Sequence, residues 1–253
     1  MTPSPSPTVK SPALARALAY PFAIPEHSYL YIDGDVRPLD RPLDTAAPEL
    51  EGRVAVLAVG SNAAPRHLEA KFGPLDGTQV IPVERARLFD FDSVYSAHVA
   101  SYGSIPATLT PSPGTELALG VTWLSADQLS RMHETEGGNY RFGQLSGIRL
   151  VIGGARTLDR ISAYVSVHGC LAVGGAPAAV AGIAARNRKF AAMSQLEVLG
   201  LARDRAAPGT PLDDFILGAI GDAGVRRRLT AELKKDALTG NRPALDVPGD
   251  IAC

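Results

Sequence analysis

The run Arg53-Val54-Ala55-Val56-Leu57-Ala58-Val59 is short, apolar and rich in β-branched residues, and it stops at Gly60-Ser61-Asn62. Such a run reads as a buried strand, and a strand that ends at a glycine constrains everything around it. Pro65 follows, and proline opens helices at their first position, so His67 to Phe72 is expected as a short helix. Strands are expected at about 79–91, 93–101, 105–110 and 115–124, with Pro111-Ser112-Pro113-Gly114 as a turn. In the last of these strands Leu117, Leu119, Val121 and Trp123 alternate with Ala118, Gly120 and Thr122. Side chains alternate faces along a strand, so the small face suits the interior of a small barrel or a close backbone approach.

Ser125 with Gln128 three residues on forms a capping box, which opens a helix ending near Glu134. Glu136-Gly137-Gly138 leads into strands near 140–151 and 160–168. The alanine-rich stretch Ala178 to Ala192 reads as helical. Thr210-Pro211-Leu212-Asp213 reads as a capped helix start, with Leu212, Phe215, Ile216, Ala219 and Ile220 on one face. A final helix is expected from about Val225 to Leu238. Strands first and helices later make an α+β chain.

At the other end, residues 1–12 are rich in Pro, Ser and Thr and are expected to be disordered. Residues 13–50 carry Tyr20, Phe22, Ile24, Tyr29 and Tyr31, which predicts an irregular arm laid on the core, then a linker from Arg37 to Glu51. The expected division is therefore a tail at 1–12, an arm at 13–50, a barrel at 51–170 and a helical extension at 171–253.

With 25 basic and 26 acidic residues in 253, the chain gives no electrostatic case for nucleic acid or an anionic membrane as partner. Two cysteines, Cys170 and Cys253, offer neither a metal clip nor an expected disulfide. No apolar run has the length of a signal peptide core or a membrane span, so a soluble cytoplasmic protein is expected.

Five groups of residues could carry chemistry. A strand turning at Gly60-Ser61-Asn62 presents backbone N–H groups that can hold a carboxylate or an oxyanion, although the same residues make ordinary turns. Glu136, flanked by glycine and leading into a strand, could face a pocket and move protons, or stand solvated at a helix end. An arginine of Arg85-Ala86-Arg87-Leu88 could pair with an acidic substrate or with Glu136, or lie on the surface. The histidines His27, His67, His98, His133 and His168 fit no zinc spacing, and nothing selects one of them for a triad with Ser61; surface or satisfied core positions are expected. The clusters Arg186-Asn187-Arg188-Lys189, Arg226-Arg227-Arg228 and Lys234-Lys235 could grip an anion but read first as solvated helix faces. Cys170 reads as a small core residue.

The order of these pieces resembles the gamma-glutamylcyclotransferases. The pieces are the strand into Gly60-Ser61-Asn62, Ala86 to Phe91, Ile105 to Gly114, Ala118 to Trp123, the helix from Ser125, and Glu134-Thr135-Glu136-Gly137 with Tyr140. The resemblance covers roughly residues 53–167 and implies a small mixed β-barrel with flanking helices. It also implies that the loop at Val59, Gly60, Ser61 and Asn62 binds the glutamyl part of a substrate, with Arg87 and Tyr140 nearby and Glu136 as acid and base. Neither metal nor organic cofactor is implied. One departure is Val59, where the family usually has a tyrosine, which removes a hydroxyl from the pocket rim. Another is His133, where the family often has aspartate. The reaction implied is attack of an α-amine on a γ-amide, giving 5-oxoproline and a free amine. Hydrolysis or acyl transfer on the same scaffold, and simple binding of a small ligand or protein, are the alternatives. The arm and the C-terminal helices could cover the pocket or serve as a homodimer contact.

Overall fold

The structure is a computed structural model that describes residues 11–44, 46–73, 79–154 and 156–246. The tail expected to be disordered therefore lies outside the described residues as far as residue 10, as does Cys253.

Five strands close on themselves. They are β3 (Val54–Ala58), β4 (Val80–Tyr95), β5 (Ala107–Leu124), β6 (Tyr140–Ile152) and β7 (Arg156–Ser166). β5 lies antiparallel between β3 and β4, β4 then pairs β6, and β6 pairs β7. β7 returns parallel to β3 and completes a mixed barrel, which leaves no free edge in the ring. The chain is α+β, as expected. Alternation decides what each strand buries: Leu57 and Val59 enter the main core with Leu88, Leu119 and Ile161, whereas Val56 and Ala58 face a second cluster with Ile81, Leu68 and Met132.

The strands expected at about 79–91 and 93–101 run together as β4 but stop at Tyr95, and those expected at 105–110 and 115–124 are the single strand β5. Pro111 to Gly114 is not a turn. It lies within β5, where the register against β4 jumps from Phe91↔Pro111 to Phe89↔Glu116. The extra residues form a bulge, held by the Gly114 N–H donating to Asp90 Oδ1 at 2.7 Å. Gly120 meets the close-approach expectation, because a Cβ there would lie 2.7 Å from the Cβ of Ala63 in the loop after β3.

Residues 13–50 are more ordered than an irregular arm. Helix α1 (Pro12–Leu18) has Ser11 as its N-cap, accepting from the Leu14 N–H, so these two residues belong to a helix and not to a tail. Strands β1 (Tyr29–Ile32) and β2 (Asp35–Pro38) form a hairpin, and β1 adds to β4 through Tyr29↔Val83. Tyr29 and Tyr31 are fully buried, which accounts for the aromatic content of the segment.

Helix α2 (Pro65–Phe72) begins at Pro65, and α3 (Ala126–Glu136) has the Ser125/Gln128 capping box and runs two residues further than expected. After the barrel, the alanine-rich stretch is not helical. It forms β10 (Ala179–Val180), β11 (Ala185–Arg186) and the start of β12 (Ala192–Met193), after the small hairpin of β8 (Ala172–Val173) and β9 (Ala176–Pro177). β10 and β11 dock on the long strands through Ala179↔Val94 and Ala185↔Leu117. Arg188 is likewise not on a helix face. It clasps the buried Asp92 carboxylate through Nε and Nη2 and donates to the carbonyls of Val180 and Ile183. Three helices follow: α4 (Gln195–Ala206), which the sequence reading did not anticipate, α5 (Leu212–Gly221) and α6 (Ala223–Lys234). α5 starts with Pro211 at its cap position, and no side chain caps it, so the expected Thr210 cap is not formed. α6 is capped by Asp222, which accepts from the Gly224 and Val225 N–H groups. Phe215, Ile216, Ala219 and Leu233 join Leu14 and Ala17 of α1 in the main core, so both chain additions pack against the same side of the barrel.

Candidate active site

Where β3 ends, the chain enters a 3₁₀ turn at Ser61–Ala63, with Gly60 as its cap residue. The first N–H groups of such a turn have no acceptor within it and remain available to a ligand. Gly60 is enclosed: a Cβ there would lie 2.3 Å from the Tyr20 hydroxyl and 3.1 Å from the Ala107 Cβ. Glu136, the last residue of α3, approaches this loop from the other side. Asn62 Nδ2 donates to its Oε1 at 3.0 Å, and Lys71 Nζ of α2 donates to the same oxygen at 2.5 Å. The Lys71 and Glu136 side chains are only 8% and 12% exposed. Among the described residues, Oε2 of Glu136 takes no hydrogen bond.

All of these groups line one cavity of about 690 Å³. It contains Val59, Gly60, Ser61, Asn62, Glu136 and Tyr140 of the expected site. Arg87 is not among its walls. Leu88 and Ala86 point into the core, so the alternation of β4 turns Arg87 outward, where it pairs with Glu116 at 3.0 Å and is 48% exposed. It partners neither Glu136 nor the cavity.

The hydroxyl absent at Val59 is matched by another from the arm. Tyr20 follows α1, and its hydroxyl accepts from the Ala107 N–H at 2.6 Å beside Gly60. Tyr140 donates to the Ala107 carbonyl at 2.9 Å, so two phenols hold the backbone of one residue from both sides at the cavity wall. Tyr102 and Tyr164 complete an aromatic ring around the acid. Burial pushes all four phenols above their ordinary range, and the Glu136 carboxylate adds to the shift in each. Ser61 lines the cavity beside Tyr102 and lowers that phenol's pKa in part, and it makes no hydrogen bond to a histidine among the described residues.

Three histidines expected to be surface or satisfied core also line the cavity: His67, His98 and His168. His98 Nδ1 lies 2.7 Å from Ser96 Oγ, which is 2.6 Å from Ser166 Oγ. His168 Nε2 lies 3.0 Å from Asn139 Oδ1, and its ring is 4.5 Å from that of His98. The Nδ1 atoms of His67 and His168 are buried without a hydrogen-bond partner. Burial lowers the pKa of His67, with Lys71 and Arg16 contributing, and burial plus the Lys234 charge brings His168 down to about 4. His98 is also held well below its ordinary value by burial, then by His168. His133, by contrast, bonds the Tyr164 hydroxyl at 2.7 Å. Cys170 is a buried core residue, and burial pushes its thiol up. No group of metal-binding side chains occurs among the described residues. No helix among them is long and apolar enough to cross a membrane.

No family model and no curated protein matches the chain. Similar solved structures include a gamma-glutamyl cyclotransferase, 19% identical, with a TM-score of 0.36 over 46% of this chain and 67% of that one. They also include an uncharacterized Homo sapiens protein, 19% identical, with a TM-score of 0.37 over 46% of this chain and 68% of that one. A third is an Arabidopsis thaliana protein solved in solution, 16% identical, with a TM-score of 0.35 over 46% of this chain and 70% of that one.

Proposed function

We propose that the protein cleaves a γ-glutamyl or closely related amino-acid amide by intramolecular attack of the α-amine, releasing 5-oxoproline and a free amine. The observation that carries this reading is the meeting of Glu136 with the Gly60-Ser61-Asn62 turn inside one cavity, with Asn62 donating to Glu136 at 3.0 Å. The order of motifs that resembles the gamma-glutamylcyclotransferases supports it as well.

In this reading the substrate's α-carboxylate lies on the N–H groups of Ser61 and Asn62. Its α-ammonium gives a proton to Glu136, a residue of the cavity wall whose Oε2 accepts no hydrogen bond among the described residues. Asn62 and Lys71 fix the carboxylate through Oε1, so the basic oxygen keeps one orientation. The freed amine attacks the γ-carbonyl carbon. A C–N bond forms, the amide C–N bond breaks as the proton held by Glu136 passes to the leaving amine, and Glu136 then takes the second proton from the attacking nitrogen and passes it to the released amine, which departs as an ammonium. Holding amine and carbonyl in contact supplies a large part of the acceleration, because well-oriented intramolecular reactions reach effective molarities of roughly 10⁵ M or more. In this reading the phenols limit the water that reaches the reacting carbonyl, which favours cyclisation over hydrolysis.

The test is product analysis on a panel of γ-glutamyl amides with the wild-type protein and Glu136→Gln. The expected result is 5-oxoproline with the wild type and a fall in kcat of at least about 100-fold in the variant, the usual contribution of a positioned acid–base group. Unimpaired turnover by Glu136→Gln removes that residue from the chemistry. Free glutamate in place of 5-oxoproline makes the protein a hydrolase.

A further inference from the structure

In the reaction proposed above, negative charge gathers on the γ-carbonyl oxygen as the amine attacks, and no group yet named receives it. His98 stands in the wall of the same cavity and is 2% exposed. Its backbone is pinned on both sides. The Ala97 N–H donates to the Gly169 carbonyl at 3.0 Å. The Val99 N–H donates at 3.1 Å to Thr230 Oγ1, on the face of α6 that lines the cavity with Arg226 and Lys234. The His98 ring packs 5.6 Å from that of Tyr140 and 4.5 Å from that of His168. Tyr140 in turn reaches Ala107, whose Cβ borders Gly60, so the imidazole belongs to the wall that carries the turn.

The hydrogen bonds behind the ring decide which nitrogen carries its proton. Nδ1 lies 2.7 Å from Ser96 Oγ, which lies 2.6 Å from Ser166 Oγ, and Ser166 Oγ accepts from the His168 backbone N–H at 3.0 Å. Both serines are buried. Each hydroxyl has one proton to donate. If Nδ1 donated to Ser96, Ser96 would donate to Ser166, and the Ser166 proton would have no acceptor among the described residues. Buried donors are rarely left so. Run the other way, Ser166 donates to Ser96, Ser96 donates to Nδ1, and every hydroxyl proton has an acceptor. Nδ1 is then the acceptor, and the ring proton sits on Nε2. Ser96 is not part of the cavity wall, so Nδ1 faces the interior and Nε2 the cavity. Nε2 has no hydrogen-bond partner among the described residues. It is also not one of the polar atoms sealed away without a partner, which are His67 Nδ1, Arg156 Nε and His168 Nδ1. Burial, and then His168, holds the imidazole well below its ordinary pKa, so the ring is neutral.

We propose that His98 carries its proton on Nε2 and donates a hydrogen bond from it to the substrate's γ-carbonyl oxygen, a bond that strengthens as charge develops there. That the oxygen is a γ-carbonyl rests on the cyclotransfer reading; the donor and its direction do not. The titratable groups that face the ring, His168 and Tyr140, are themselves uncharged at neutral pH, because burial lowers the one and raises the other. A neutral donor in that setting suits an amide oxygen, whose charge is partial until the reaction begins. Nε2 keeps its proton throughout; only the strength of the hydrogen bond changes.

Two measurements test this. In isotope-labelled wild-type protein, with His98→Gln to assign the resonances, the ring nitrogens are followed by NMR between about pH 5 and 8. Nε2 protonated and Nδ1 bare throughout is the expected state. A proton on Nδ1, or an imidazolium forming in that window, overturns the proposal. The second measurement is turnover of a γ-glutamyl amide by the wild type, His98→Asn and His98→Gln. The Asn side chain reaches toward Ser96 but not to the place of Nε2, and is expected to lower kcat roughly 100-fold or more with little change in KM. The longer Gln side chain carries its amide N–H toward that place and is expected to give a kcat at least about tenfold above that of Asn. Equal kcat in the two variants, or a lowered Tm with kcat unaltered, makes His98 a packing residue and overturns the proposal while leaving cyclotransfer intact. If the wild type turns over no amide, cyclotransfer fails, and the donor is read by titrating glutamine while following the His98 Nε2–H resonance. Movement of that resonance sustains the donor; a stationary one ends it.

Discussion

Lys71→Met removes the ammonium from the Lys71–Glu136 pair while keeping an unbranched side chain beside Met132 Sδ, which Lys71 Nζ approaches at 3.0 Å. The two charges are 2.5 Å apart, with 8% and 12% of their side chains exposed, so water screens them little. At an effective dielectric near 20 the gross attraction is about 7 kcal/mol. Most of that offsets desolvation, and breaking one side of a buried pair costs about 3–5 kcal/mol because the other charge is stranded. Asn62 still donates to Glu136 in the variant, which places the expected loss near the lower end, about 3 kcal/mol. Glu136→Gln strands the ammonium in turn, while the double variant strands nothing. Urea unfolding of all four proteins, with equal m-values, gives the cycle. The coupling expected is about 2 kcal/mol, so the double variant is more stable than the sum of the singles implies. Losses that add to within about 0.5 kcal/mol refute the argument, since neighbours that share a charge cannot be independent.

Tyr20→Phe is expected to cost about 1–3 kcal/mol, because the Ala107 N–H loses its acceptor in a buried place, and to raise KM for the amide by opening the rim at Gly60. An unchanged Tm separates the arm from the site. A pH series reads the cavity histidines. Their folded pKa values lie below the unfolded value of about 6.5, so the unfolded chain binds more protons and stability falls as pH drops below that value. For His168 the loss continues down to about 4; half-exposed, it contributes on the order of 1 kcal/mol after screening. A fall in stability between pH 6.5 and 4 that is shallower in His168→Asn than in the wild type assigns that share of the effect to this residue; parallel curves deny it.

Local chemistry made part of this molecule legible. Pro65, the Ser125/Gln128 box and the apolar run into Gly60 each fix backbone conformation within a few residues, and each stands where the sequence put it. Residues 178–192 read otherwise because alanine's helix preference is worth only tenths of a kcal/mol per residue, whereas their backbone completes the edges of β4 and β5. Helix α4 was open to the same reasoning, since Ser194 and Glu197 form a capping box like that of α3. The outward turn of Arg87 was also available from the alternation of Ala86 and Leu88. Tyr20 and the face of α6 carried no such signal. They reach the cavity only through the packing of α1 and α6 on the barrel, and no spacing along the chain encodes that distance.

That packing has a consequence for the order in which the molecule comes into being. Glu136 and its turn are translated long before Lys234, yet Arg16 at one end and Lys234 near the other wall the same hollow. A ribosome that has released the five barrel strands still withholds α6, and the nascent barrel stands with its acid in an open trough. On the reading proposed above, chemistry that depends on shelter from solvent begins only once α6 has emerged and docked. A fragment trimmed to the barrel alone would keep its acid and its turn, and lose the walls that α1 and α6 give the hollow around them.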